Sequence, residues 1–201
     1  DFMGLTFRVN EHVLIPRQDT EILVEEILKD MQDYCRILDM CTGSGCILIS
    51  LLYYNNWCEG VGVDISPMAL KTAEENSKNL LSEEKQPVWL ESNLFEKVEG
   101  KFDLIVSNPP YIRSEVIETL MPEVKDHEPL KALDGTEDGL YFYREIVRQA
   151  PKYLKKEGRL YFEIGHDQGA DVSELLKQAG FKKIHVVKDY AGLDRVVYAA
   201  L

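Results

Sequence analysis

The chain predicts an α/β fold: a mostly parallel, seven-stranded sheet covered by helices on both faces and closed by a C-terminal antiparallel hairpin. Two observations predict it. Short apolar runs alternate with stretches in which apolar residues recur at every third or fourth position, and parallel strands require helical crossovers of that kind. The last two strand-like runs, 183–187 and 195–200, are joined by a turn containing Gly192 with no helix between them, so they pair antiparallel. A length of 201 residues, 45% of them apolar, fits one domain with a substantial core.

Along the chain, 5–9 and 12–15 are β-prone runs about Asn10 and Glu11, and they predict a small hairpin in a lead-in over residues 1–20. Asp19 or Thr20 can cap a helix carrying Ile22, Leu23, Ile27, Leu28 and Met31 at helical spacing. Strands are predicted over 36–39, 61–64, 87–91, 102–107 and 159–164. Helices are predicted over 46–54, from Ser66 and Pro67 onward, over 140–154, and through Val172, Leu175 and Leu176 to a C-terminal cap at Gly180. Residues 113–139 have no clear period, and so long a loop in a compact domain is usually functional or disordered. A hairpin ending such a sheet suggests a Rossmann-like methyltransferase rather than a dinucleotide fold.

The net charge of −12 opposes approach to a nucleic-acid backbone, so no stable nucleic-acid partner is expected. No apolar stretch approaches the roughly 18 residues of a membrane span, and no signal-peptide pattern is visible, so a cytoplasmic protein is expected. Cys35, Cys41, Cys46 and Cys58 form no Cys-x-x-Cys pair and have no His at zinc-ligand spacing. They predict free thiols and no metal site. His12, His127, His166 and His185 have no recognisable partner nearby in sequence and are assigned no role.

Asp39-Met40-Cys41-Thr42-Gly43-Ser44-Gly45 follows the first strand and opens a helix. Gly43 and Gly45 permit a tight turn that brings backbone N–H groups close to a ligand, although a lone Gly-x-Gly also serves merely to pack strand on helix. Asp64 ends the second strand, where a carboxylate can accept bonds from both hydroxyls of a ribose. Its alternative is a helix cap, a role Ser66 and Pro67 already fill. The pyrophosphate fingerprint of dehydrogenases would need glycines at Cys41 and Cys46, and neither is present. After the third strand, Asn93 can bond an adenine edge and Leu94 cover its face; a polar turn followed by core residues explains them nearly as well.

Asn108-Pro109-Pro110-Tyr111 ends the fourth strand, beside the point where strand order should reverse and ligands bind. Pro109 and Pro110 lack N–H groups and have fixed φ, so the segment is stiff and presents carbonyls. The Asn108 side-chain oxygen and the Pro109 carbonyl can accept the two hydrogens of a planar NH₂ and aim its lone pair at an electrophilic methyl. Those bonds strengthen as the nitrogen gains positive charge. Tyr111 can pack on the planar acceptor. A Pro-Pro loop with a packed tyrosine is the bland alternative, and it leaves the cofactor loop and Asp64 as coincidences.

These residues resemble S-adenosylmethionine-dependent methyltransferases acting on amide or exocyclic nitrogens, and more closely the PrmC/HemK group, the N5-glutamine methyltransferases of peptide-chain release factors. Further stretches carry the resemblance: 14–21 (Leu-Ile-Pro-Arg-Gln-Asp-Thr-Glu), 128–135 (Glu-Pro-Leu-Lys-Ala-Leu-Asp-Gly), Phe162 to Gly165 with Gln168-Gly169, and Asp189-Tyr190 through Asp194-Arg195. The resemblance implies a class I methyltransferase catalytic domain over 21–201, S-adenosylmethionine as cofactor, no metal, and as substrate the glutamine of a Gly-Gly-Gln motif in a class-1 release factor. Asn108 and Pro109 would hold the amide, with Pro110 and Tyr111 shaping its pocket. Asp39, Cys41 to Gly45, Asp64, Asn93, Leu94 and Asn108 would surround the cofactor. Arg17 closes one side of the site or forms a surface ion pair, and Glu128 and Pro129 order the long loop or meet the substrate. Another protein glutamine, such as one in a ribosomal protein, or a nucleobase amino group is the alternative acceptor, and a non-catalytic cofactor-binding module is the reading from another class. The chain departs from the family at Cys41, where a glycine is usual, at Asn93 for Asp, and at Leu94 for an aromatic residue; the family's helical N-terminal domain has no counterpart in these residues, which are expected to be either the catalytic part of a longer protein or an enzyme that docks its substrate more weakly.

Overall fold

The structure is a computed structural model, and it describes residues 1–55, 57–117, 119 and 129–201. Seven strands form one sheet: β1 (Arg36–Met40), β2 (Glu59–Asp64), β3 (Val88–Glu91), β4 (Phe102–Ser107), β5 (Leu154–Glu163), β6 (Lys182–Lys188) and β7 (Asp194–Ala200). The order is β3-β2-β1-β4-β5-β7-β6, and only the β7 pairings, to β5 and β6, are antiparallel. Order reverses between β1 and β4, so the crossovers leave opposite faces there and open a crevice at the strand ends.

The helices that line the sheet are α1 (Gln18–Asp30), α2 (Cys46–Tyr54), α3 (Pro67–Leu80), α4 (Ser114–Ile117), α5 (Tyr141–Gln149) and α6 (Gly169–Gln178). β1 and β4 are buried along nearly their whole length, as central strands of a doubly covered sheet must be. Alternate residues feed two cores. Ile37, Leu104 and Val106 pack with Leu23, Ile27, Leu48 and Leu51 on one face; Leu38, Met40 and Ile105 pack with Tyr143, Ile146, Val172 and Leu176 on the other. The Ser107 hydroxyl donates to the Met40 carbonyl at 2.6 Å, tying the ends of β1 and β4 together beneath the crevice.

Several sequence expectations are met. Ser66 caps α3, its hydroxyl accepting from the Ala69 N–H at 3.2 Å with Pro67 as first helical residue. Gly180, at φ +87°, ends α6 with its N–H donating to the Lys177 carbonyl. Elsewhere local pattern loses to tertiary context. No hairpin forms over 5–9 and 12–15. The Arg8 backbone instead pairs with the Asn76 side chain of α3, its N–H donating at 2.8 Å and its carbonyl accepting at 3.0 Å, and Asn10 donates to Thr72. α1 begins at Gln18 with Arg17 as N-cap, so neither Asp19 nor Thr20 caps it; Thr20 is buried and Asp19 faces Arg195. The helix predicted to reach Leu154 stops at Gln149, where a turn containing Pro151 turns the chain into a longer β5.

Cys35 and Cys58 correct the expectation of four free thiols. They precede adjacent residues of the β1–β2 ladder, Arg36 opposite Glu59, which brings their Cα atoms to 4.7 Å and pairs them as a disulfide. Cys41 and Cys46 are free. Among the described residues no helix is long and apolar enough to cross a membrane and no metal-binding cluster occurs.

Candidate active site

A cavity of about 680 Å³ opens at the C-terminal ends of β1, β2 and β4, within the range of small-molecule sites. Its floor is the β1–α2 loop. Thr42 donates its N–H to the Val63 carbonyl and Gly45 its N–H to the Thr42 carbonyl, both at 2.9 Å, so the loop is stitched to β2 and to itself. Gly43, at φ +56°, is a position where a Cβ would meet no atom within 4 Å, which leaves its Cα side open to a ligand while its N–H is taken by Asp64. Gly45 has a different reason: at φ +79° it heads α2, and a Cβ there would approach the Trp89 ring to 2.9 Å.

Asp64 brackets this loop. Its Oδ2 accepts from the Gly43 N–H and its Oδ1 from the Ser66 N–H, each at 2.9 Å. The carboxylate is therefore held rigidly while each oxygen retains lone pairs facing the cavity it lines. Burial pushes its pKa up, and those backbone bonds oppose the shift. Asp39 lies deeper: its Oδ2 accepts from the Thr42 hydroxyl at 2.5 Å, its Oδ1 is buried without a partner, and burial raises its pKa to about 7. Asp39 does not itself line the cavity; it orders Thr42, which does.

Cys41 adopts φ +62°, the left-handed conformation that a glycine in its place would take freely. Burial pushes its thiol pKa up, so it stands in the cavity wall as a neutral thiol. Burial likewise raises Cys46, to about 12. Ser92, Asn93 and Leu94 line the side beyond β3; Asn93 donates to Glu96, and Leu94 is held at φ +50° with its carbonyl accepting from the Ser92 hydroxyl.

On the other side stand Asn108 and Pro110. The Asn108 side chain makes no hydrogen bond among the described residues, so both ends of its amide are available to a ligand. Pro109 is buried behind them, outside the cavity lining. Tyr111 departs from expectation: it does not line the cavity, and its hydroxyl is turned toward β5, donating to Glu163 Oε1 at 3.4 Å. It therefore braces the loop from behind and does not stack on an acceptor in the cavity. Its pKa is pushed up by burial and by the neighbouring Glu163 charge.

Several lining residues were not singled out from the sequence. His12 and Val13 close the cavity above α3, and Tyr141 and Phe142 at the start of α5 wall the side facing Asn108. The signal for the aromatic pair was its place directly after the long loop and Gly139. Arg17 and Pro129 line the cavity, as do Leu130, Ala132 and Asp134; Glu128 and His127 lie outside the described residues.

Comparison with known proteins agrees with this geometry. Residues 17–123 match the methyltransferase small domain family. The release factor glutamine methyltransferase of Fusobacterium nucleatum is 47% identical over 203 residues, which cover 99% of this chain and 57% of that protein. That of Clostridium botulinum is also 47% identical, with 99% and 72% covered. The chain thus spans between about half and three quarters of the length of these curated relatives. Among solved structures, a release factor-specific protein-(glutamine-N5) methyltransferase from Alicyclobacillus acidocaldarius superposes with a TM-score of 0.56 at 28% identity, covering 96% of this chain and 98% of that one. A Pyrococcus furiosus methyltransferase superposes with a TM-score of 0.73 at 14% identity, over 98% and 89%, a likeness of fold alone. The chain is a class I methyltransferase in architecture and belongs to the family of release factor glutamine methyltransferases.

Proposed function

We propose that this chain methylates the side-chain amide nitrogen of the glutamine in the Gly-Gly-Gln motif of a class-1 peptide-chain release factor, with S-adenosylmethionine as methyl donor. The observation that carries the reading is the Asn108 amide, unengaged at the end of β4 and facing the same cavity as the Asp64-bracketed glycine loop. The identity to curated glutamine methyltransferases supports the choice of acceptor.

The residues present fit such a donor. Asp64 would accept from ribose hydroxyls, Asn93 and Leu94 would border the adenine, and the open Cα face of Gly43 with Thr42 and Ser44 would meet the amino-acid portion. The bound cofactor supplies an electrophilic methyl on a sulfonium centre.

The chain's own work is on the acceptor. An amide nitrogen is a poor nucleophile because its lone pair is delocalised into the carbonyl. Asn108 Oδ1 and the Pro109 carbonyl would each accept one N–H of the glutamine amide, and the pair fixes the plane of that group. As positive charge builds on the nitrogen both bonds strengthen, so they stabilise the transition state more than the ground state. Pro110, Tyr141 and Phe142 line one side, and an acceptor seated against them would displace water, which strengthens those bonds further. No general base is needed before transfer, because the nitrogen loses a proton only once it has become cationic.

The test is to incubate the protein with labelled S-adenosylmethionine and a recombinant class-1 release factor. Peptide mapping should place the label on the glutamine of Gly-Gly-Gln, and label on RNA or DNA with an unmodified glutamine would overturn the reading.

A further inference from the structure

Tyr111 is held at both ends by residues that take no direct part in the proposed chemistry. Gln168, buried in the turn after β5, donates its Nε2 to the Tyr111 carbonyl and to the Gly139 carbonyl, both at 3.2 Å. Its Oε1 accepts from the Gly165 N–H at 2.9 Å and lies 3.4 Å from the Tyr143 hydroxyl, so both ends of that amide are engaged. At the other end, the Tyr111 hydroxyl reaches Glu163 Oε1. Glu163 is 2% exposed; the buried Thr20 side chain of α1 lies against its carboxylate, and its second oxygen, Oε2, makes no hydrogen bond of good geometry. An unpartnered buried carboxylate oxygen is costly, and an amide of the same shape would pack there without charge.

We propose that Glu163 and Gln168 are positioning residues for methyl transfer: Gln168 fixes the Tyr111 carbonyl, the Glu163 carboxylate fixes its hydroxyl, and protonation of Glu163 loosens the acceptor loop. The inference rests on the proposed methyl transfer for its consequence in rate, but not for the contact itself. Only Pro109 and Pro110 separate Asn108 from Tyr111, a stiff segment, so a rotation at Tyr111 is passed to the Asn108 amide rather than absorbed.

The groups facing Glu163 are Thr20, whose side chain favours the ionised carboxylate, and Asp19 on α1, Cys46 on α2, Tyr111 on the loop, Tyr143 on α5, whose hydroxyl donates to the Glu163 carbonyl, and Arg195 on β7. The charge nearest in effect, Arg195, is already paired with Asp189 at 3.0 Å and Asp19 at 3.4 Å. Burial outweighs it and raises the Glu163 pKa to about 7, which sets the carboxylate to change charge near neutrality. The other carboxyl raised to that range, Asp39, bonds Thr42 in the β1–α2 loop and would act on cofactor affinity instead.

The experiment labels tyrosine Cζ with ¹³C, assigns Tyr111 by Tyr111→Phe, and follows its shift between pH 5.5 and 8.5. A titration near pH 7 that disappears in Glu163→Gln supports the contact; a titration that persists in that variant, or none in the parent, overturns it. Turnover on the release factor supplies the second readout. Glu163→Gln and Gln168→Ala should lower kcat at pH 8 about tenfold with cofactor affinity within about twofold, and Glu163→Gln should lose the acid limb of the kcat profile. Unchanged kcat, or an acid limb that survives Glu163→Gln, would overturn the positioning role. If the release factor is not methylated at all, the proposed function fails while the Tyr111 titration still decides the contact.

Discussion

At the residue scale three side chains, Asn108, Asp64 and Cys41, shape the cavity. Asn108→Ala should lower kcat by about 10²–10³, the effect of removing one transition-state acceptor, while calorimetry still detects S-adenosylhomocysteine. Asp64→Ala should act the other way round: it removes the ribose acceptor and releases the Gly43 and Ser66 N–H groups, so product affinity in the same titration should fall at least about tenfold. Cys41→Gly relieves a left-handed non-glycine residue and should leave cofactor affinity within a few-fold. The placing of Asn108, Asp64 and Gly43 around one cavity was legible in the sequence because each sits at or just beyond a strand end, which a strand-loop-helix pattern reveals. Glu163, Gln168 and the true direction of Tyr111 were not. Their partners lie 52 and 57 residues away, and nothing in a local pattern says that a tyrosine turns backward rather than into a cleft.

At the element scale the acceptor loop is secured by two glycines. A Cβ on Gly135 would meet the Tyr111 Cα at 2.7 Å, and one on Gly139 would meet the Tyr111 carbonyl oxygen at 2.5 Å at a φ of +74°. Next to Gly135, Asp134 forms a parallel bridge with Ile112. Gly139→Ala should therefore displace the loop, lowering kcat about tenfold or more with thermal stability reduced by about 1–3 kcal/mol, measured by turnover and by urea denaturation on one preparation. The elements that sequence periodicity located well, β1, α2, β4 and α6, are those whose apolar spacing and end signals agree. The N-terminal hairpin failed for the opposite reason: β-prone residues there found their hydrogen bonds on Asn76 of α3, a side chain 68 positions away.

At the scale of the whole molecule, two carboxyls buried near the site set a pH dependence of stability. The folded-state pKa values of Asp39 and Glu163, both about 7, lie above the ordinary carboxylate values of the unfolded chain, so the folded state holds more protons between about pH 4 and 7. Their contribution is present in full below about pH 4 and is lost as pH rises through 7. Glu163→Gln should accordingly be more stable than the parent at pH 8 by about 2–3 kcal/mol in urea denaturation, with the difference vanishing near pH 4.5. A protein both more stable and slower is what a positioning role predicts, and what a folding defect does not. The Cys35–Cys58 pair closes a loop of 23 residues at the opposite end of the sheet, and removing it should lower stability by about 3 kcal/mol without changing kcat. The effects on kcat presuppose that the Asn108 cavity holds a glutamine amide. The measurement that bears on this most directly is peptide mapping of a recombinant class-1 release factor after reaction with labelled S-adenosylmethionine: the account predicts one methyl on the Gly-Gly-Gln glutamine, absent with Asn108→Ala, and an unmodified glutamine in the presence of active, cofactor-binding protein would contradict it.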